Sequence, residues 1–364
     1  MIGENGVVEQ LAIGRRLVGT NRPVYVIAEM SANHLQDYDR AVRILEAAKE
    51  AGADAVKLQT YTPDTMTIDC DDACFRVGQG TIWEGKSLYQ LYGEARTPWE
   101  WHPRLKAVAN DLGLHLFSTP FDATAVDYLE EMGVPAYKIA SFEVVDLPLV
   151  RRVAETGKPV IMSVGMASRE EIDEALLTIR ATGNDQVALL KCTSAYPALP
   201  EEMNLRAIPR LREVFGVPVG LSDHTLGIAV AVTAVALNAC IIEKHLTLSR
   251  AAGGPDGAFS LEPHEFKALV DAVRVAEGAL GDVAFTTTER EGASRVFRRS
   301  LFVVKDVRAG ERFTADNVRS IRPGAGLHTR YLPEVLHRRA AVDLRRGTPL
   351  RREHLDAVSE PGHP

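Results

Sequence analysis

Cys240-Ile241-Ile242-Glu243-Lys244-His245 is the stretch on which the fold turns. An apolar run that ends in polar residues is the pattern of a short buried strand. Side chains alternate along a strand, so Glu243 and His245 share one face and Lys244 takes the other. Upstream, Val217-Pro218-Val219-Gly220-Leu221-Ser222-Asp223-His224 repeats the design and again ends in a histidine. Two imidazoles and a carboxylate at the ends of neighbouring strands can hold one divalent metal, with positions open for substrate and water. Either histidine alone reads equally well as a structural residue; the repeated design favours the metal pair.

Working outward, the same rhythm recurs. Strands are expected at 24–28, 53–59, 114–119, 135–141, 159–163 and 186–191, ahead of the two just quoted. Helical patterns separate them: Ala41, Val42, Leu45 and Ala48 make one apolar stripe, and Ser168 with Glu171 makes a capping box. Eight buried strands, each followed by a helix, predict a TIM (β/α)8 barrel of the usual size, about 250 residues. An open doubly wound sheet is disfavoured because no Gly-rich dinucleotide turn follows the first strand. The segment from Thr60 to Arg96 has no clear periodicity and reads as a functional loop.

The domain plan is an N-terminal extension (1–20), the barrel (21–281), a polar linker (282–294), a small compact domain (295–358) and a tail (359–364) expected to be disordered. The small domain holds 15 Lys+Arg against 7 Asp+Glu, a balance of +8 in a chain whose net charge is −7. It contains a weak repeat, Asp306–Phe313 against Asp343–Leu350, which suggests pseudo-twofold order. The 364 residues are 46% hydrophobic and 25% charged, with no apolar run near membrane-spanning length. The first residues lack a signal-peptide pattern, and four scattered cysteines do not make a disulfide framework, so a reducing cytoplasm is expected.

Catalytic groups of such barrels lie at the carboxyl ends of the strands. Collected there are Glu29, Lys57, Gln59, Thr119, Lys138, Ser141, Glu143, Ser163, Thr193, Ser194, Tyr196, Ser222, His224, Glu243 and His245. Two lysines and several hydroxyls suit a phosphorylated anion, and the histidine pair, expected across the mouth from them, suits a metal that polarises a carbonyl. The residues alone therefore reach a metal-dependent lyase or transferase on a phosphorylated acid. A Schiff-base aldolase using Lys138 or Lys57 competes, but hydroxyl neighbours such as Ser141 favour a charged lysine. A barrel scaffold carrying a basic carbohydrate- or nucleic-acid-binding module is the alternative of another class. Interspersed acids and few aromatics argue against nucleic acid.

Ile27-Ala28-Glu29-Met30-Ser31-Ala32-Asn33-His34, Ala53-Asp54-Ala55-Val56-Lys57-Leu58-Gln59, Ser118-Thr119-Pro120-Phe121 and Tyr137-Lys138-Ile139-Ala140-Ser141 follow one another along the chain. Leu221-Ser222-Asp223-His224, Glu243-Lys244-His245 and Gly254-Pro255-Asp256 complete the series. In that order they resemble the sialic acid synthase family. Arg298-Arg299-Ser300-Leu301 and Ile321-Arg322-Pro323-Gly324 resemble its antifreeze-like (SAF) domain.

The resemblance implies a transferase that condenses phosphoenolpyruvate with an aminosugar to a nonulosonic acid and phosphate. By position it assigns His224 and His245 to a divalent metal, Mn2+ or Mg2+ with Co2+ as a further candidate. It assigns Lys57, Thr119, Lys138, Ser141, Ser163, Ser194 and Ser222 to phosphoenolpyruvate. Gln59, Glu143, Tyr196 and Asp256 fall to the sugar, and Glu29 and Glu243 to catalysis. Arg322 matches an arginine delivered by the partner in a domain-swapped homodimer. Met30-Ser31-Ala32 and Leu35 depart from the form common in N-acetylneuraminate synthases. Ser31–His34, Gln59–Thr67, Leu88–Tyr92, Thr97–His102 and Gly253–Ser260 are instead similar to the branch that makes pseudaminic acid. Its sugar carries extra apolar surface, which suits the aromatic residues of the long second loop.

Overall fold

A computed structural model of the chain describes residues 9–78, 83–281 and 285–356. The expected tail, residues 1–8 of the extension, 282–284 of the linker and 357–358 of the small domain lie outside the described residues. The chain divides into two compact units, 1–281 and 282–364.

In the first unit the extension is an antiparallel hairpin, β1 (Gln10–Ile13) and β2 (Arg16–Gly19), turned at Gly14 with φ +57°. Leu11, Ile13 and Val18 bury one side of it, an alternation too short to stand out in the sequence. Eight parallel strands then close a barrel: β3 (Tyr25–Glu29), β4 (Ala55–Thr60), β5 (His115–Pro120), β6 (Tyr137–Ile139), β7 (Val160–Ser163), β8 (Val187–Lys191), β9 (Val219–Asp223) and β10 (Ile241–His245). Neighbours in sequence are neighbours in the sheet, and β10 pairs with β3 to close it. The strands are almost wholly buried, because the barrel interior and the outer helices cover both faces, and they are mainly apolar until their carboxyl-terminal halves.

Helices start and stop where their caps dictate. Asp37 accepts from Arg40 N to open the helix Tyr38–Ala51, and Gly52 ends it with φ +89°. The Ser168–Glu171 box opens Arg169–Arg180, and Pro263 leads Pro263–Leu280. The 60–96 segment is more ordered than its sequence suggests, with helices at Pro63–Met66 and Leu88–Ala95.

Register fixes where the polar ends meet. Glu29 stands beside His245 on one side and Lys57 on the other. Gln59 stands beside Thr119, and Glu243 beside Ser222. Asp223 and Lys244, one residue out of phase with these, form a 2.7 Å ion pair with both side chains fully buried.

In the second unit β11 (Ser300–Val303) pairs antiparallel with β12 (Val318–Ile321) over a core that includes Leu301, Val303, Phe313, Val335 and Leu350. The sequence repeat is a structural one. Val307 and Leu344 exchange two backbone hydrogen bonds of 2.8 Å. Asp306 accepts from Arg346 N, and Asp343 accepts from Ala309 N, each at 2.7 Å. Part of the stretch read as linker, Glu289–Ser294, is a short helix opened by Thr288.

Candidate active site

The barrel residues singled out in the sequence sit on strands or in the segments that follow their carboxyl ends, Asp256 lying farthest out, in the long loop after β10. Arg322 lies outside the barrel, just past β12 in the second unit, exposed. At the floor of the mouth four charges are packed together out of water. Lys57 forms an ion pair with Glu29, stands 3.8 Å from Glu243 Oε1 and donates to Thr119 Oγ1 at 3.2 Å. Lys138 comes from β6, opposite β10 in the barrel, yet its Nζ lies 3.9 Å from the same Glu243 oxygen. Ser222 donates to that oxygen at 3.1 Å. The expected separation of lysines from histidines across the mouth is therefore bridged, because Glu243 on the histidine strand reaches both lysines. Nor does Ser141 support Lys138 as expected. Its hydroxyl pairs with Ser194 at 2.8 Å, while Lys138 donates to Ile139 O at 3.2 Å.

These surroundings set the charges. Burial pushes the Glu29 carboxyl up to about 7, with Lys57 pulling against it and Glu243 adding to it. Burial works against the Glu243 carboxylate too, but Lys138, Lys57 and His224 outweigh it and hold the group below its ordinary value. Lys57 is held above its ordinary value by Glu243 and Glu29 in spite of burial. Burial pulls Lys138 down, with Glu243 opposing.

The two histidines fit a metal. Their ring centroids are 5.5 Å apart. The 2.9 Å contact of His224 Nδ1 with Thr193 O makes Nδ1 the donor and leaves Nε2 with a lone pair. His245 Nδ1 is buried with no hydrogen-bond partner. Burial pushes both imidazoles toward the neutral, ligating form. Tyr196 packs on His224 at 4.4 Å and Phe259 on His245 at 4.9 Å between centroids. Among the described residues no cluster of three or more His, Cys, Asp or Glu completes a metal cage. Two imidazoles with the remaining positions left to water and substrate oxygens is thus the arrangement these residues support.

At the carboxyl ends of the adjacent strands β6, β7 and β8 lies a cradle of hydroxyls. Ser163 Oγ, on the last residue of β7, is buried without a partner, and Ser141 and Ser194, which follow the flanking strands β6 and β8, pair with each other. Gly165 closes the cradle: a Cβ there would lie 2.3 Å from Ser194 Oγ and 2.9 Å from Cys192 Sγ. Such donors suit phosphate oxygens.

Above the floor opens a cavity of about 440 Å³. Gln59, Glu143, Tyr196, His245 and Asp256 line it, as do Ser31 and a wall of Tyr61, Val77, Trp83, Leu88, Leu91, Tyr92 and Phe121. Most of that wall comes from the unpatterned 60–96 segment. Trp83 Nε1 donates to Pro255 O at 2.8 Å, which ties the segment to the loop after β10. Burial pushes the Glu143 carboxyl up to about 7, and its Oε2 has no partner. Sequence reasoning expected aromatic residues of the long segment to suit the sugar without singling out Tyr61 or Trp83, and it missed Phe259 and Gly165 as site residues. The aromatic content of the segment was the signal used, but which rings turn inward is decided by contacts far along the chain, such as that of Trp83 with Pro255. Around the rim, Ile68, Phe142, Val145, Met166, Leu199 and Leu226, from the segments after β4, β6, β7, β8 and β9, are each at least 50% exposed.

Comparison with known proteins agrees with this geometry. The NeuB family model matches residues 44–284, and the SAF domain model matches residues 298–356. A pseudaminic acid synthase of Campylobacter jejuni is 45% identical over 332 residues, covering 91% of this chain and 96% of that protein. One of Helicobacter pylori is 43% identical over 339 residues, covering 92% and 98%. Among solved structures, an N-acetylneuraminic acid (sialic acid) synthetase of Leptospira borgpetersenii in complex with citrate has a TM-score of 0.71 at 32% identity, covering 79% of this chain and 95% of that one.

Proposed function

This chain belongs to the NeuB family, and from that premise we propose that it is a pseudaminic acid synthase. It condenses phosphoenolpyruvate with 2,4-diacetamido-2,4,6-trideoxy-β-L-altropyranose to give pseudaminic acid and phosphate. The observation that carries the reading is one juxtaposition. A buried floor with Lys57, Lys138 and a hydroxyl cradle lies in one barrel mouth with two buried imidazoles and an apolar-walled cavity of about 440 Å³.

The residues divide the work. Lys57 and Lys138, with Thr119, Ser141, Ser163, Ser194 and Ser222, hold the phosphate and carboxylate of phosphoenolpyruvate. His224 and His245 hold a divalent ion, Mn2+, Mg2+ or Co2+. Bound there, it would supply Lewis-acid polarisation of the open-chain sugar aldehyde. The methylene carbon of phosphoenolpyruvate attacks the aldehyde carbon and forms the new C–C bond. The aldehyde oxygen takes a proton, for which Glu29, with its carboxyl at about 7, is a suitable carrier. Positive charge on the former enol carbon lies above ionised Glu243, which orients the water that adds there and accepts its proton. The bond between that carbon and the bridging phosphate oxygen then breaks, and the new hydroxyl gives its proton to the departing phosphate, which leaves the keto acid. Gln59, Glu143, Tyr196 and Asp256 bind the sugar against the apolar wall, which takes its acetamido methyls and deoxy carbon.

The functional form is a homodimer in which each C-terminal unit closes the other chain's barrel. Two features support this: the exposed apolar rim around the mouth, and a +8 domain suited to cover a site for anions. Arg322 is the side chain delivered. A cytoplasmic location fits the four unpaired cysteines, Cys70, Cys74, Cys192 and Cys240.

The test is phosphate release from phosphoenolpyruvate across a panel of sugars. Turnover is expected with the diacetamido trideoxy altrose, lost on chelation and restored by Mn2+, with no adduct trapped by borohydride. Preference for N-acetylmannosamine or the legionaminic acid precursor would move the product within the family. A borohydride-trapped lysine would make the chain a Schiff-base aldolase. No turnover on any sugar with metal present would leave a carbohydrate-binding module on a barrel scaffold.

A further inference from the structure

Ser31 follows β3 and is 3% exposed. Its φ is +45°, in the left-handed region that favours glycine over any residue with a side chain. A strained side chain persists where its surroundings over-determine it. Here the surroundings are a hydrogen-bonded relay. Gln59 Nε2 donates to Glu29 Oε1 at 3.2 Å and to Ser31 Oγ at 2.9 Å. Ser31 Oγ in turn donates to Asp256 Oδ2, across 225 residues of sequence. Ala32 N adds a second donor to the same oxygen at 3.3 Å. Since Glu29 is paired with Lys57, the relay runs unbroken from the charged floor to the loop after β10. Ser31, Gln59 and Asp256 all line the cavity.

We propose that Ser31 is a positioning residue for sugar recognition, its hydroxyl locking the Asp256 carboxylate and the Gln59 amide into one arrangement. This rests on the cavity being the sugar subsite. Both donors converge on Oδ2, so Oδ1 is the oxygen left to accept an amide N–H or hydroxyl of the sugar. A carboxylate on a loop, with no tie to the barrel, would have to be ordered at each binding event. The hydroxyl orders it beforehand. Glycine would satisfy the backbone at this position and abolish the relay, which separates the two possible reasons for the residue.

The experiment compares Ser31→Ala and Ser31→Gly with the wild type on whichever sugar the wild type turns over. Three quantities are read: KM for the sugar, Kd for phosphoenolpyruvate in the absence of sugar, and the melting temperature. Loss of a hydrogen bond to a charged group is expected to raise the sugar KM about tenfold or more in both variants. The phosphoenolpyruvate Kd should stay within about twofold, because the floor keeps its lysines, and Ser31→Gly should melt no lower than Ser31→Ala because the strain is relieved. An unchanged sugar KM in Ser31→Gly would overturn the proposal, since a residue kept for its backbone alone is replaceable by glycine. A parallel rise of the sugar KM and the phosphoenolpyruvate Kd would overturn it as well, as general loosening of the mouth. Failure of the wild type on the diacetamido sugar bears on the product assignment; the comparison of variants is then made with the sugar that is used.

Discussion

Replacing Lys244 by methionine tests how the strands that carry both metal-ligating histidines are held. Lys244 and Asp223 flank His245 and His224 in sequence but turn to the other face of β10 and β9, where both side chains are fully buried 2.7 Å apart. Removing one partner of such a pair strands the other charge and costs about 3–5 kcal/mol. The lower end applies, because Asp223 Oδ1 also accepts from Thr225 N at 2.9 Å and from Thr225 Oγ1 at 2.7 Å. Methionine keeps most of the volume, so little of the loss comes from a cavity. About 3 kcal/mol corresponds to a fall in melting temperature of about 6–12 °C for a domain of this class of size. The assay is thermal unfolding of Lys244→Met, Asp223→Asn and the double variant. In the double variant no uncompensated charge remains, so its loss should be clearly smaller than the sum of the two single losses. A Lys244→Met protein that melts within about 2 °C of wild type would refute the reasoning. So would strictly additive losses, which would show that the two groups are not energetically paired.

Gly165→Ala should raise the phosphoenolpyruvate KM by about tenfold or more. The new Cβ would sit 2.3 Å from Ser194 Oγ and 3.0 Å from Ser141 Cβ, so the hydroxyl pair must part or the loop must shift, at about 1–3 kcal/mol; an unchanged KM would show that the cradle does not touch the ligand. Co-expression of His245→Ala with Arg322→Ala, each inactive alone, should restore activity. If Arg322 acts across the dimer, half the dimers are mixed under random pairing and each holds one intact site, about a quarter of all sites; background activity in verified mixed dimers would exclude delivery across the dimer and leave the metal site standing.

The barrel and the location of its site were legible because the signals are local. Alternation places Glu243 with His245, periodicity separates strand from helix, and the topology of parallel strands brings every carboxyl end to one rim. Resemblance added the substrates, which no local pattern names. What the chain order does not encode is which polar ends touch. Glu243 reaches Lys138 across the barrel because inward side chains of alternate strands share one layer, which overrides the expected split between lysines and metal. Ser141 turns to Ser194 and away from Lys138, and Ser31 meets Asp256 only because the loop after β10 folds back over β3. The 60–96 segment carries no period because its rings answer to cavity and loop contacts, not to one repeating face, and Trp83 finds its partner at Pro255. Local propensity and pattern thus determined the scaffold and the polar residues at its strand ends, and resemblance added Asp256 and Arg322. Closure of the barrel, through contacts between residues far apart in the chain, decided their pairing, their charge and the shape of the cavity.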